Sequence, residues 1–174
     1  MNVVVITGTH EQPFDRLVAA ADRLAAAGHT VFVQYGYASE PPRTADGSMW
    51  VERDALERLC ARADVIVTHG GPGSIWDAFG VDKVPIVVPR QSRFGEHVDD
   101  HQVAFGRHLA GHGRVIVVED TERLAAAVAG HASAAANCVP PSGAPERHRA
   151  RLAAALDEWA QVHLARRRRP GSNG

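Results

Sequence analysis

Short apolar runs rich in β-branched residues alternate along this chain with stretches of helical periodicity, and that alternation narrows the possible folds to a few. The runs are Val3–Thr7 (VVVIT), Thr30–Tyr35 (TVFVQY), Asp64–Thr68 (DVIVT), Val84–Pro89 (VPIVVP) and Val115–Val118, with Ser48–Glu52 as a further short strand. Helices are expected at Phe14–Ala27, Asp54–Arg62, Ser74–Val81, Asp99–Gly111 and Glu122–Ala129. In the first of these, Leu17, Ala20, Ala21 and Leu24 share one face and Gly28 follows as the stop. The strands are continuously apolar rather than alternating, so both of their faces are expected to be covered. That is the pattern of a parallel sheet between two helical layers. The expected fold is therefore a doubly wound, Rossmann-like α/β domain.

The 174 residues suffice for one such domain with a real core. We read residues 1–132 as the Rossmann-like domain and 133–145, with its small residues and prolines, as a linker. Residues 146–165 are expected to form a C-terminal helix, since Leu152, Leu156 and Trp159 recur at helical spacing. It either packs back on the domain or faces a partner. Residues 166–174 are a basic tail carrying Arg166 to Arg169, either simply solvated or a foothold on an anionic membrane or partner. Net charge is −1, and removing those four arginines leaves −5, so nothing points to a nucleic-acid partner. The two cysteines, Cys60 and Cys138, form no CxxC pair, which argues against structural zinc and for a reducing, cytoplasmic setting. The opening MNVVVITGTHEQPF lacks a basic leader and reads as a first strand. No apolar run approaches the ~18 residues of a membrane span.

In open α/β sheets, ligands bind beyond the carboxyl ends of the strands. Two such ends carry the candidate chemistry. Gly8-Thr9-His10 follows the first strand. Thr68-His69-Gly70-Gly71-Pro72-Gly73-Ser74 follows DVIVT and opens a helix. The glycines permit close backbone approach, and the free N–H groups at the helix start favour an anion. Ser74 adds a hydroxyl, and Asp77, one turn on, can accept hydrogen bonds. The spacing is neither G-x-G-x-x-G nor a Walker A loop. A tight turn that merely needs glycine and happens to contain a histidine is the alternative. A second cluster, Arg90 and Glu96-His97-Val98-Asp99-Asp100-His101-Gln102, mixes donors and acceptors as sugar hydroxyls require. Capping of the helix by Asp99 and Asp100 would also explain its acids. His97 and His101, four apart, have metal-ligand spacing but no evident third ligand, so neither a metal nor another cofactor is expected.

THGGPGSIWDAF (Thr68–Phe79) resembles the donor-site signature of GT-B glycosyltransferases, especially the C-terminal domain of family 28. It is also similar to the T-H-x-G-x-x-S-x-x-E core of UDP-glycosyltransferases, with Thr68, His69, Gly71, Ser74 and Asp77 at matching spacing. EHVDDHQ (Glu96–Gln102) resembles the D-x-H-Q element of single-domain relatives, and both the opening VVVITGTHEQPFDRL and QYGY after the second strand are similar to theirs. The resemblance covers Val3 to Val118. It implies that His69, Gly70, Gly71, Gly73 and Ser74 hold a diphosphate, with Gly8 and Thr9 bordering it. It implies Asp77 on the ribose, and Asp100, His101 and Gln102 around the donor sugar. Trp50, about nineteen residues before His69, is placed to stack on uracil or to join the core. Three residues depart from the pattern: Asp77 stands for glutamate, Gly73 for asparagine, and Asp82 for a helix-ending glycine.

The resemblance further implies half of a GT-B fold, hence one component of a two-component, inverting transferase in polysaccharide assembly. Its donor would be a hexose-type UDP-sugar. Its partner would be a membrane-associated subunit that holds a lipid-linked glycan acceptor and recruits the chain to the inner face of the membrane. His10 is the candidate general base. Two other readings remain open: a non-catalytic nucleotide-sugar-binding or regulatory module, and a sugar-nucleotide epimerase or hydrolase on a similar fold.

Overall fold

A computed structural model describes residues 1–139. Six parallel strands form one sheet in the order β3-β2-β1-β4-β5-β6. They are β1 (Asn2–Ile6), β2 (Thr30–Gln34), β3 (Asp46–Ser48), β4 (Val65–Thr68), β5 (Ile86–Val87) and β6 (Ile116–Val117). The helices are α1 (Asp15–Ala26), α2 (Arg53–Arg62), α3 (Pro72–Phe79), α4 (His101–Gly111), α5 (Leu124–Ala129) and α6 (His131–Ala135). The doubly wound, Rossmann-like sheet expected from the sequence is the sheet that forms.

The continuous apolar run of β1 has a direct cause in this architecture. Val3 and Val5 enter one core with Leu17, Ala21 and Leu24 of α1 and with Leu124 and Val128 of α5. Val4 and Ile6 face the opposite way, into a core with Cys60 of α2, Ile66 of β4 and Ala78 of α3. Successive residues of a strand point to opposite faces, so burial on both sides removes the need for polar alternation. Each buried valine or leucine contributes about 1.5–3 kcal/mol. Cys60 is part of this core: burial, with Asp77 nearby, pushes its thiol up to about 11, so it stays protonated and inert.

Several boundaries differ from expectation. The third strand lies at Asp46–Ser48, pairing Phe32 with Asp46 and Gln34 with Ser48, rather than at Ser48–Glu52. This edge strand is polar, because backbone pairing to β2 places it and no helix has to be covered by it. At Gly47 a side chain would run into Val33 O and Pro42, so the glycine that reads as loop is what lets the strand approach. Helix α3 begins two residues early, with Pro72 in its first turn, where the missing N–H costs nothing. Helix α4 begins at His101 rather than Asp99. Asp82, which stands where the family pattern has a helix-ending glycine, adopts φ 56°, a left-handed conformation that Asp tolerates better than most residues.

The boundary expected at residue 132 falls inside α6, and residues 140–174 lie outside the described part. The expected C-terminal helix 146–165, the tail 166–174 and residues 140–145 of the linker lie there too. Among the described residues, no helix is long and apolar enough to cross a membrane.

Candidate donor-binding cleft

From β1 the chain goes outward to β2 and β3, while from β4 it goes the other way to β5 and β6. Strands β1 and β4 are neighbours, so the loops after them diverge and leave a crevice at the topological switch point. A cleft of ≈ 380 Å³ opens there. Gly8, Thr9, Trp50, His69, Gly71, Gly73, Ser74 and Asp77 line it, together with Ile6, Gln34, Val51, Leu56 and Pro72.

His69 forms the floor. Its backbone N–H extends the β1–β4 ladder to Ile6 O at 3.0 Å, which fixes where the side chain leaves the sheet. The ring lies between two backbones: side chains at Gly8 or Gly71 would overlap it. Gly8 has φ +85°, a second reason for glycine there. Ser74 Oγ is 3.2 Å from His69 Nδ1. Burial, reinforced by the Arg90 charge, pulls the ring down to about 3, so His69 is a neutral imidazole at physiological pH. It offers a hydrogen bond rather than a positive charge. Positive potential at the turn comes instead from the amides and dipole of α3, whose first turn carries no acidic side chain, with the buried Arg90 charge behind the ring.

The turn is not plugged. A Cβ built on Gly73 meets nothing within 4 Å, so the space in front of the helix start is open. Asp77 is half-buried one turn further in. Burial pushes its carboxyl up while Arg53, 3.8 Å away, opposes the shift. Trp50 belongs to the cleft and not to the core: it is 44% exposed and packs edge-on against Tyr37.

The second predicted cluster stands apart from the cleft lining, and much of it serves the scaffold. Gln102 is buried, and its Oε1 accepts from Gly70 N at 3.0 Å and Arg90 N at 3.1 Å, tying the ends of β4 and β5 to α4. Gly70 is glycine because a Cβ would collide with Gln102. Arg90 is fully buried; it donates to Thr7 O at 2.9 Å, Gln12 O at 2.6 Å and Glu96 O at 3.0 Å. Burial lowers its guanidinium to about 10, where it remains charged. Glu96 pairs with Arg16 at 2.6 Å and accepts from Gln91 N at 2.9 Å. Arg90 and Glu96, which read as sugar-recognising in the sequence, thus lock the β1–α1 and β5–α4 loops together. Asp100 makes no side-chain cap on α4; its Oδ1 accepts from Ser92 N at 2.8 Å. His10 sits edge-on against His97, and His101 is 2.5 Å from Asp99.

Sequence reasoning missed Gln34. It is buried at the end of β2, where its Oε1 accepts from Gly8 N at 3.1 Å and its Nε2 donates to Gly8 O and Met49 O. It thereby sets the β1 loop and the segment bearing Trp50. A lone glutamine closing the otherwise apolar run TVFVQ was the available signal.

Known structures share this architecture. The glycotransferase of kitacinnamycin superposes with a TM-score of 0.57 at 23% identity, over 96% of this chain and 43% of that one. ALG13 gives 0.58 at 16% identity, over 87% of this chain and 94% of its own. MurG of Acinetobacter baumannii gives 0.53 at 15% identity, over 90% and 50%. At these identities the likeness is one of fold, that of the C-terminal half of GT-B glycosyltransferases. The chain spans less than half the length of the glycosyltransferase structures that head these matches. No curated protein matches its sequence significantly. Residues 2–155 do match the glycosyltransferase family 28 C-terminal domain, which is most of the chain. The protein belongs to the glycosyltransferase family 28 C-terminal domain family.

Proposed function

We propose that the chain binds a UDP-sugar in the switch-point cleft and acts as the donor-binding subunit of an inverting hexosyltransferase. The acceptor, a lipid-linked glycan, is held by a separate membrane-associated subunit. The observation that carries this reading is the open, glycine-walled turn at the start of α3, flanked by a carboxylate and an exposed indole.

A diphosphate fits against the amides of Gly71, Gly73 and Ser74, where the helix dipole stabilises negative charge. The Ser74 hydroxyl and neutral His69 add donors. Gly8 and Thr9 border the same oxygens from β1. Asp77 accepts from the ribose hydroxyls, and Trp50 stacks on the base. The sugar extends from the cleft toward α4, and Asp100, His101 and Gln102, which do not line the cleft itself, are the proposed partners of its hydroxyls. As the glycosidic bond to UDP breaks, charge grows on the diphosphate, and preorganised amides stabilise it more than they stabilise the bound ground state. His10, on the loop after β1, is the candidate to take the acceptor proton. ALG13, with its similar fold and length, supports a stand-alone donor-binding chain.

Calorimetric titration of the full chain with UDP-, GDP- and dTDP-sugars, with NAD as control, tests the reading. UDP-sugars should bind best, and Asp77→Ala should weaken UDP by about 1–3 kcal/mol. Equal, weak binding of every nucleotide, unaffected by Asp77→Ala, would remove both the donor class and the ribose contact.

A further inference from the structure

Outside the cleft lining, the loop between β5 and α4 gathers three potential metal ligands. His97, Asp99 and His101 bring one ligating atom each to within 4.8 Å of one another. His97 Nδ1 is 3.6 Å from Asp99 Oδ1, and His101 Nδ1 is 2.5 Å from the same oxygen. The His97 ring is nearly covered, between His10 at 4.4 Å and His101 at 4.5 Å centroid to centroid. Its Nδ1 is buried without a hydrogen-bond partner among the described residues. A buried, unsatisfied ring nitrogen is costly and calls for a reason.

The backbone around these groups is held. Glu96, on one side, is anchored to Arg16 and Gln91 N. Asp100, between the two later ligands, is anchored to Ser92 N. Residues 96 and 100 thus fix the loop while 97, 99 and 101 converge on one point. The pairing is not the helical i, i+4 spacing read from the sequence, because His97 lies before α4 begins. The turn of the loop brings in Asp99 as the third ligand that the sequence did not reveal. Around a tetrahedral ion with bonds of ~2.0–2.1 Å, ligand atoms sit about 3.3 Å apart. The 3.6 Å separation is close to that value, while the 2.5 Å one is a His101–Asp99 hydrogen bond whose proton the ion would displace as the two atoms move apart.

We propose that His97, Asp99 and His101 form a binding site for a divalent transition metal of the zinc class, with three protein ligands and an open coordination position. Two imidazoles with one carboxylate favour zinc, cobalt or nickel over magnesium or calcium. Ligation through His101 Nδ1 leaves the ring's Nε2 for the sugar contact proposed above, so the metal site does not rest on the donor reading. From the sequence, no metal is expected for want of a third ligand, and Asp99 is the ligand this proposal adds.

The full chain, stripped with a chelator and dialysed against Zn²⁺, should retain one ion by elemental analysis. Co²⁺ in its place should give the visible absorption of a low-coordinate nitrogen and oxygen site. His97→Ala, and the near-isosteric Asp99→Asn, should each weaken Zn²⁺ binding by at least about 10-fold, with circular dichroism reporting that the fold is kept. His108 and His112, whose rings lie 4.5 Å apart at the far end of α4, are the rival chelate. Their double alanine variant should bind Zn²⁺ like the parent. The proposal is overturned if the parent retains no zinc, if zinc departs with His108 and His112, or if both ligand variants keep it.

Discussion

Two glycines two residues apart in the same turn, Gly71 and Gly73, have opposite reasons for being glycine. Gly71 has no side chain because the His69 ring occupies that place; Gly73 has none although the protein leaves the place open. Gly71→Ala should therefore lower stability as well as UDP affinity. Gly73→Ala, within the first turn of a helix, should leave the melting temperature unchanged or raise it, since alanine is favoured over glycine there by roughly 0.5–1 kcal/mol. Yet it should weaken UDP binding, because its methyl group occupies ligand space. Thermal melts and calorimetry on both variants check this; a Gly73→Ala protein with parental UDP affinity would remove the diphosphate from the turn. His69 gives a second residue-scale expectation. Its folded value is pulled to about 3 from 6.5, so between those values the unfolded chain binds the extra proton. Stability from this group is complete above pH 6.5 and is lost as pH falls, by roughly 2 kcal/mol on reaching about pH 5. His97, lowered from 6.5 chiefly by burial, adds to the loss in the same window, whereas Asp99 and Glu119, shifted down from 3.8 and 4.5, lose their contribution at lower pH. Urea unfolding at pH 7.5 and 5 should show the loss in the parent and a smaller one in His69→Gln.

At the scale of elements, the cleft is held by two buried amides that act as cross-braces. Gln34 joins the end of β2 to the loop after β1, and Gln102 joins α4 to the ends of β4 and β5. Gln102→Ala would leave the N–H groups of Gly70 and Arg90 without their acceptor. It should cost roughly 2 kcal/mol or more in urea unfolding, and parental stability would mean that water takes over both bonds. These braces also mark where the sequence stopped being legible. The sheet could be read because apolar runs and helical periodicity are local signals. The His69–Asp77 turn could be read because its residues are contiguous. The partners of Arg90, Glu96 and Gln102 could not, since Arg90 reaches 83 residues back to Thr7 and Glu96 reaches 80 back to Arg16. A polar cluster at a strand end looks the same whether it faces a ligand or a neighbouring loop. Only the fold distinguishes Gln102, clamped onto backbone, from Trp50, left open on the cleft. The polar strand β3 was shifted for a related reason: backbone pairing leaves no apolar trace.

At the scale of the molecule, the described residues form one sheet with one switch point, and the candidate cleft lies there. A transferase must bring an acceptor hydroxyl to the far side of the donor's anomeric carbon and keep water from that carbon. The described residues provide a floor for the nucleotide and no second wall. The glycosyltransferase structures matching this fold are about twice its length, whereas ALG13 matches over nearly its full length. Under the proposed function, that wall belongs to the acceptor-binding subunit. The isolated chain should bind UDP-sugar without transferring it and should hydrolyse it no faster than buffer does. Adding membranes that contain the acceptor-binding subunit and its lipid-linked glycan should produce transfer. A radiolabelled sugar followed into the lipid fraction measures this, with Asp77→Ala as the chain that occupies the complex but holds the donor poorly. Turnover by the chain alone would place it among hydrolases or epimerases. Binding that never becomes transfer, even with the partner present, would make it a sensor of nucleotide-sugars, because an open donor floor satisfies binding without completing the geometry that displacement needs.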